Sequence, residues 1–351
     1  MATHYDIAIL GLGPAGATLA RLLDPAFSVL ALDRKKQNGG FCKPCGGLLA
    51  PDAQKAMARL SLSLPSRILV EPQIFSVRTF DIAAGLRRDY QRCYLNMDRH
   101  AFDLWLMSLI PDRVDVRTGA ACLHLERCRE GYRLFWREDG EERQATASRL
   151  VGADGAFSLV RRVLFPHTRI RVYTAIQQWF ADRHPHPFLS CLFDAGITDC
   201  YAWGLTKGDS FIFGGAFSPR HARKAFELLK QRAEQYGFLL KQPIRTEACA
   251  VLRPSGPGEL LCGGDGVFLV GEAAGFVSPS SLEGISYALE SAEALAAAFN
   301  TGQTDPGRIY FRNTLPLRFR LLEKMVKTPF IFYPSLRRLV MASGIGSLGL
   351  R

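Results

Sequence analysis

Near the start of this chain lies the glycine-rich stretch ILGLGPAGATLA, residues 9–20. An apolar run ending at Leu10 leads into a turn where Gly11, Gly13 and Gly16 form a Gly-x-Gly-x-x-Gly pattern. Small and apolar residues then recur at helical spacing, so the pattern predicts a strand, a tight turn and a helix. Such a unit is typical of dinucleotide sites: the first glycine permits the turn, the second lets a pyrophosphate approach the backbone, and the third lets helix and strand pack closely.

A second apolar run, residues 29–32, is followed by Asp33 and Arg34. An acidic residue at this distance from the glycine turn typically binds a ribose hydroxyl. Strand, turn, helix and acid together predict a bound dinucleotide, with Pro14 and Ala15 in the turn. A turn of purely structural role is the alternative, and the pattern is compatible with either FAD or NAD(P).

Composition limits the class of protein. The 351 residues, 48% apolar and 22% charged, suffice for one large α/β domain with a second lobe. No apolar run reaches the roughly 20 residues of a membrane span, and because strand residues begin at Ile7 we expect no signal peptide. Nine cysteines, an odd number, indicate reduced thiols rather than a disulfide framework, so we expect a cytoplasmic protein.

The net charge of +11 is compatible with nucleic acid, an anionic membrane surface or an anionic cofactor. No nucleic-acid-binding motif accompanies this charge. We therefore expect no nucleic-acid partner.

Three further segments carry informative local patterns: DRHAFDLWL (98–106), RLVGADGAFSLVRR (149–162) and GVFLVGEAAGFVSPSSLEGISYALESAEAL (266–295). The first opens a helix with Arg99 near its start. In the second and third, short apolar strands end in Asp154–Gly155 and in Gly271–Glu272.

With the glycine turn, these segments resemble, in the same order, those of the FAD-dependent aromatic hydroxylase superfamily, which includes the geranylgeranyl reductases. The resemblance covers nearly the whole chain. It implies an α/β fold: a Rossmann-like FAD-binding domain of the p-hydroxybenzoate-hydroxylase type, an antiparallel β-sheet substrate domain and a C-terminal helical segment. It also implies tightly bound, non-covalent FAD, with Glu272 at a ribityl-binding position where the family usually has aspartate. Since no second glycine pattern follows, electrons would come from transiently bound NAD(P)H or a separate redox protein.

The segment FCKPCGGLLAP (41–51) points to the geranylgeranyl reductase branch, which typically has a Pro-Cys-Gly-Gly-like motif here. Tyr201 and Trp203 match its Tyr-x-Trp-x-Phe-Pro motif, which lines a lipid cavity, although Leu205 and Thr206 replace Phe-Pro. Glu283–Ile285 matches its Gly-Glu-Gly-Ile run, with Leu282 in place of the first glycine. The stretches KPCGGLLAPDAQ, RHAFDLW and SLEGISYAL are also similar to one enterobacterial member of this branch.

The resemblance implies the following site residues. Substrate contacts are Tyr201 and Trp203, and the one catalytic candidate is Cys45. Cofactor contacts are Gly11, Gly13, Pro14, Ala15, Gly16, Asp33, Arg34, Cys45, Gly46, Gly47, Arg99, Asp154, Gly155, Gly271, Glu272, Gly284 and Ile285. The FAD-binding domain would comprise residues 1–65, 96–165 and 262–310, the substrate domain 66–95 and 166–261, and the helical segment 311–351.

Cys42 and Cys45 form a Cys-x-x-Cys pair. Cys45 is favoured as a packing or substrate-site residue beside the flavin, with a redox-active pair or half a metal site as alternatives. No second pair completes a metal set, and His184 and His186 in HPHP are better interpreted as a proline-rich turn. We therefore predict no metal.

Two activities are compatible with these motifs. The favoured one is reduction of C=C bonds in a polyprenyl lipid, and the alternative is monooxygenation of an aromatic or other apolar small molecule. A third possibility is a flavin-bound protein in envelope lipid homeostasis or sensing. Residues 315–344, amphipathic and basic, predict either a helical pair that caps the catalytic domain, which we favour, or a peripheral contact with the inner face of a membrane.

Overall fold

A computed structural model describes residues 3–36, 43–181 and 188–348 of the chain. The chain divides into two compact units. Unit 1 is formed by Met1–Cys42, His100–Arg171 and Leu252–Glu323, and unit 2 by Lys43–Arg99, Val172–Val251 and Lys324–Arg351. The largest differences from the predicted division are residues 43–65, which belong to unit 2, and the C-terminal segment, which is divided after Glu323. The bounds of the nucleotide and substrate domains stay a prediction.

The elements are numbered along the described chain. The strands are β1 (Thr3–Leu10), β2 (Val29–Asp33), β3 (Leu48–Leu49), β4 (Ile74–Asp81), β5 (Leu86–Asn96), β6 (Asp115–Thr118), β7 (Ala121–Cys128), β8 (Gly131–Glu138), β9 (Glu141–Gly152), β10 (Val172–Phe180), β11 (Leu189–Phe193), β12 (Ala202–Lys207), β13 (Ser210–Phe217), β14 (Arg245–Leu252), β15 (Gly263–Gly264) and β16 (Val267–Leu269). The α-helices are α1 (Pro14–Leu22), α2 (Pro51–Arg59), α3 (Arg99–Ser108), α4 (Leu159–Leu164), α5 (Ala222–Glu234), α6 (Ile285–Asn300), α7 (Pro306–Asn313), α8 (Leu315–Phe332) and α9 (Pro334–Ser343).

Unit 1 is built on a parallel sheet in the order β16-β9-β1-β2-β6. Strands β7 and β8 continue from β9 as an antiparallel meander, and β15 pairs with β16. The residues Ile7–Leu10 and Leu30–Leu32 are almost fully buried, as expected for parallel strands covered on both faces. The parallel sheet agrees with the Rossmann-like domain that the resemblance implies.

Unit 2 contains an antiparallel-rich sheet in the order β14-β10-β13-β12-β11-β4-β5-β3. Alternation along its strands gives the sheet two different faces. One face packs against α5, where Phe226, Leu229 and Ala233 join a phenylalanine-rich core. The other face, which we call the motif face, carries Trp203 and Leu205, with Trp179 and Ile212 beside them. The residues of the predicted substrate motif thus lie on the face opposite to α5.

Helix α9 is held within unit 2 by a buried ion pair. Arg337 of α9 donates from Nε to Asp81 Oδ2 at 2.7 Å, and it donates from Nη1 to the carbonyl oxygens of Ile331 and Phe332. The two charged side chains are no more than 5% exposed. In the described part of the chain, no helix is long and apolar enough to cross a membrane.

Candidate functional site

Of the three glycines in the turn, Gly13 faces open space, whereas Gly11 and Gly16 are closely packed. A Cβ at Gly16 would lie 1.8 Å from the Gly11 carbonyl oxygen, and one at Gly11, where φ is +95°, would lie 2.6 Å from the Ala153 oxygen. At Gly13 no atom of the described residues lies within 4 Å of the Cβ position. Backbone packing therefore requires glycine at positions 11 and 16, but it leaves free the approach to Gly13.

The ends of four adjacent parallel strands bring the sequence motifs of unit 1 together. Leu10 of β1 is in register with Leu32 of β2 and with Gly152 of β9, and Gly152 is in register with Leu269 of β16. The glycine turn, Asp33, Asp154–Gly155 and Gly271–Glu272 begin one or two residues after these positions. They consequently lie at the carboxyl edge of one sheet, where open α/β sheets bind their ligands.

Asp33 stabilises the glycine turn through hydrogen bonds to the backbone. Its carboxylate accepts hydrogen bonds from the backbone N–H groups of Leu12 and Lys35. Lys35 is buried too, and its Nζ lies 3.2 Å from Asp103 Oδ2 in α3. The neighbouring Arg34 is exposed. The sequence analysis did not identify Lys35 and Asp103 as residues of this site. The available signal was an acidic residue within the otherwise apolar helical segment AFDLWL.

Asp154–Gly155 and Gly271–Glu272 adjoin each other. A Cβ on Gly155 would lie 3.9 Å from Glu272 Oε2, and Glu272 Oε1 accepts from the Leu252 N–H at 3.0 Å. Asp154 accepts from the Leu159 N–H through Oδ2, whereas Oδ1 is buried and has no hydrogen-bond partner among the described residues. Burial raises the pKa of Asp154 above its ordinary value.

Helix α6 completes this edge. Gly271 has φ +58°, and a Cβ on it would lie 3.1 Å from the Cβ of Ala15 in α1 and 3.4 Å from that of Ala288 in α6. The helix begins at Ile285 after Gly284, which provides no side-chain cap in the described structure. Just before it, Leu282 is held at φ +55°, a backbone conformation that glycine adopts more readily.

Arg99 is the first residue of α3 and belongs to unit 2. Cys42, His184 and His186 lie outside the described residues. Elsewhere in the chain, the described histidine, cysteine and acidic side chains form no group of three that could hold a metal ion.

In unit 2 the Pro44–Gly47 segment lies on the motif face. The Pro44 carbonyl oxygen is 3.5 Å from Cys249 Sγ in β14, and a Cβ on Gly46 would lie 3.6 Å from Leu205 Cδ2 in β12. The Gly47 N–H donates to Cys45 Sγ at 3.4 Å. The two motifs of the predicted substrate site, distant in sequence, are therefore in contact in the structure.

Aromatic rings extend from this contact toward the C-terminal helices. The rings of Trp203 and Tyr201 meet edge to face with centroids 6.0 Å apart, and Tyr201 stacks on Phe193 at 5.9 Å. Phe193 in turn contacts Phe332 of α8. The rings give the motif face an apolar strip on the same face as the Pro44–Gly47 segment.

Lys207, at the end of β12, is a polar residue of this site that sequence reasoning missed. Its side chain is buried, and Nζ donates to the carbonyl oxygens of Met97 at 2.5 Å and Gly47 at 3.2 Å. Burial lowers the pKa of Lys207 to about 8. The nearby Cys45 and Asp98 act in the opposite direction and raise this pKa, but by less. A lysine directly after the aromatic motif was the available signal.

No model of a known protein family matches the chain. Protein CbrA of Shigella flexneri serotype 5b (strain 8401) is 50% identical over 347 residues, which are 98% of this chain and 95% of that protein. Protein CbrA of Escherichia coli O157:H7 is 49% identical and is matched over 98% of both chains.

Solved structures share the fold at low sequence identity. A geranylgeranyl bacteriochlorophyll reductase-like protein from Thermoplasma acidophilum has a TM-score of 0.76 at 18% identity, covering 97% of this chain and 99% of that one. PqsL, a probable FAD-dependent monooxygenase from Pseudomonas aeruginosa, has a TM-score of 0.70 at 17% identity, covering 97% and 100%. The predicted fold class is thereby confirmed, while membership of the geranylgeranyl reductase branch stays a prediction.

The burial of Lys207 predicts a pH dependence of stability. Between pH 8 and 10.5 the native lysine loses its proton while the unfolded lysine keeps it, so the free energy of unfolding should rise with pH. We expect a rise of about 3 kcal/mol in the wild type relative to Lys207→Met. Urea unfolding across this range measures it, with Lys55→Met, an exposed lysine, as the control. If the free energy of unfolding changes with pH in the same way in the wild type and in Lys207→Met, the lowered pKa of Lys207 is contradicted.

Proposed function

The chain belongs to the CbrA family. We propose that it is an FAD-dependent oxidoreductase that reduces C=C bonds of a polyprenyl lipid. The observation that carries the nucleotide part of the proposal is the open backbone at Gly13. Neither its packing nor its φ of −72° requires glycine there, whereas a pyrophosphate that contacts the backbone does.

The residues of unit 1 fit such a cofactor. The glycine turn offers N–H groups at the start of α1, and Asp33 is the candidate for a ribose contact. Asp154 holds a buried carboxylate oxygen without a partner in the described structure, and a ligand group could satisfy it. Glu272 would bind the ribityl chain, and the start of α6 at Gly284 and Ile285 would stabilise negative charge on the pyrimidine ring.

When bound, FAD would supply the hydride chemistry, with NAD(P)H or a separate redox protein as the source of electrons. The chain itself would bind and orient the substrate along the apolar strip of the motif face, through Tyr201 and Trp203. Reduction of a C=C bond adds one hydride and one proton, and the Cys45 thiol is the candidate to hold that proton. The buried ammonium group of Lys207 would fix the Gly47 backbone next to that thiol.

Monooxygenation of an aromatic or other apolar molecule is the second candidate. It is favoured by the likeness of the fold to PqsL, which is described as a probable FAD-dependent monooxygenase. The reductase-like protein from Thermoplasma acidophilum supports the first candidate equally. The cofactor residues are the same in both cases, so the product of the reaction distinguishes them.

We expect Gly13→Val to fold normally and to lose FAD, because the new side chain fills the space of the pyrophosphate. The loss of affinity should be about a hundredfold, as when a close contact worth 2–3 kcal/mol is blocked. Thermal unfolding of the apoprotein and FAD titration measure the two effects separately. In contrast, Gly16→Val should fail to fold because its Cβ meets the Gly11 oxygen. Tight FAD binding by a folded Gly13→Val protein would contradict the cofactor site.

Anaerobic reduction followed by mixing with prenyl lipids or with O₂ and an aromatic substrate tests the reaction. A mass gain of two hydrogens in the lipid is expected for the reductase, and a gain of one oxygen would establish the hydroxylase instead. We expect Cys45→Ala to retain FAD and to lose lipid reduction, because the proton donor is removed. Normal turnover in this variant would make Cys45 a structural residue.

We also propose that unit 2 contacts the inner face of an anionic membrane through its C-terminal helices. Val326, Leu339 and Ile345 are 70%, 69% and 77% exposed, so this part of the chain presents large apolar side chains to solvent. Residues 315–344 carry six basic residues and one acidic residue. Exposed apolar side chains among basic ones are typical of helices that lie on anionic lipid.

Co-sedimentation with phosphatidylglycerol-containing vesicles tests the membrane contact. Since Arg337 pairs with the buried Asp81, truncation would disturb the fold, and the triple variant Val326→Glu, Leu339→Glu, Ile345→Glu is preferable. We expect its vesicle affinity to fall about tenfold or more at low salt. Leu239→Glu, which changes an equally exposed residue elsewhere, is the control. Equal partitioning of the triple variant and the wild type would rule out this surface.

A further inference from the structure

Three residues in register cross the motif face of unit 2. Gln177 of β10 is opposite Gly214 of β13, and Gly214 is opposite Trp203 of β12. Residues in register on neighbouring strands point to the same face of a sheet. Gln177 and Trp203 therefore flank a position without a side chain, and their backbones are about 10 Å apart, two strand spacings.

Gln177 presents its carbonyl oxygen on this face. The side chain is 3% exposed, and its Nε2 donates to Glu247 Oε2 at 2.8 Å. The same carboxylate oxygen accepts from Trp179 Nε1 at 2.8 Å, and Arg245 pairs with the other oxygen. Because a carboxylate only accepts, the amide orientation is fixed, and Oε1 points away from Glu247. Oε1 is buried and has no hydrogen-bond partner among the described residues.

Trp203 presents a donor on the same face of the sheet. Its indole lies across Gly214, so that Nε1 is 2.7 Å from the position of a Cβ on that glycine. Nε1 is also buried and without a hydrogen-bond partner in the described structure. The donor atom thus lies over the strand that separates Trp203 from Gln177.

We propose that Trp203 Nε1 and Gln177 Oε1 form a polar subsite that binds a hydroxyl group of the otherwise apolar substrate. A hydroxyl accepts one hydrogen bond and donates another, and it can therefore satisfy both atoms at once. Buried polar atoms left without partners destabilise a protein, so a ligand that supplies both partners gains affinity. The subsite rests on the proposed function, because it assigns the part of the lipid that the motif face recognises. The substrate class is then a prenyl alcohol rather than a hydrocarbon or an ether.

Binding of tritiated farnesol and of farnesyl methyl ether to the FAD-loaded protein tests the subsite. The ether accepts a hydrogen bond but donates none. We expect the wild type to bind farnesol about tenfold more tightly than the ether. Gln177→Leu should remove most of this preference and leave ether binding nearly unchanged, because only farnesol donates to Oε1. Trp203→Phe should weaken the binding of both probes, because both oxygens accept from Nε1.

Gln178→Leu is the matched control. Gln178 is the next residue of β10, it is equally buried, and its Oε1 also lacks a partner in the described chain, but it points to the α5 face. This variant should keep the preference for farnesol, and retained FAD and melting temperature confirm folding in each case. If Gln177→Leu keeps the wild-type preference, if Trp203→Phe binds both probes as tightly as the wild type, or if the wild type binds both probes equally, the subsite is overturned while the lipid substrate stands. Binding of neither probe overturns the substrate class and the subsite together.

Discussion

The contact between the backbone of Gly16 and the carbonyl oxygen of Gly11 is the constraint on which unit 1 depends. It brings the first turn of α1 against the end of β1 so closely that a methyl group at position 16 would lie 1.8 Å from the oxygen. Ala153, which follows β9, closes the other side of the turn at Gly11. The loop between β1 and α1 is thereby fixed from two directions, and only Gly13 remains open on its outer side.

This constraint has consequences for the neighbouring strands. Because β2, β9 and β16 end in register with β1, each loop that follows them begins at the same edge of the sheet. Backbone hydrogen bonds continue the register for one more residue, from Gly11 to Leu32, from Ala153 to Leu10 and from Val270 to Gly152. A cluster drawn from three distant parts of the sequence is therefore positioned by the strands themselves.

The sequence predicted this edge well because its signals are local. A tight turn needs glycine, a buried parallel strand is continuously apolar, and both can be recognised within about twelve residues. The polar pairs were not predictable in this way. Lys35 meets Asp103, Gln177 meets Glu247, and Lys207 meets Met97 only after folding. Each pair joins residues about 70 to 110 positions apart, and sequence spacing gives no information about such contacts.

Glu272 and Leu282 depart from the motifs of the flavoprotein family that the sequence resembles, and local contacts explain how the structure accommodates them. The side chain of Glu272 is one methylene longer than aspartate, and its carboxylate reaches the Leu252 N–H, where this chain re-enters unit 1. Leu282, at a position where the resembled geranylgeranyl reductase motif has glycine, has a glycine-like φ of +55°. The backbone is held there by hydrogen bonds from Leu282 N to the Ser278 oxygen and from Ser278 N to the Glu283 oxygen. These hydrogen bonds hold the loop in place. The start of α6 is therefore maintained although leucine disfavours a positive φ.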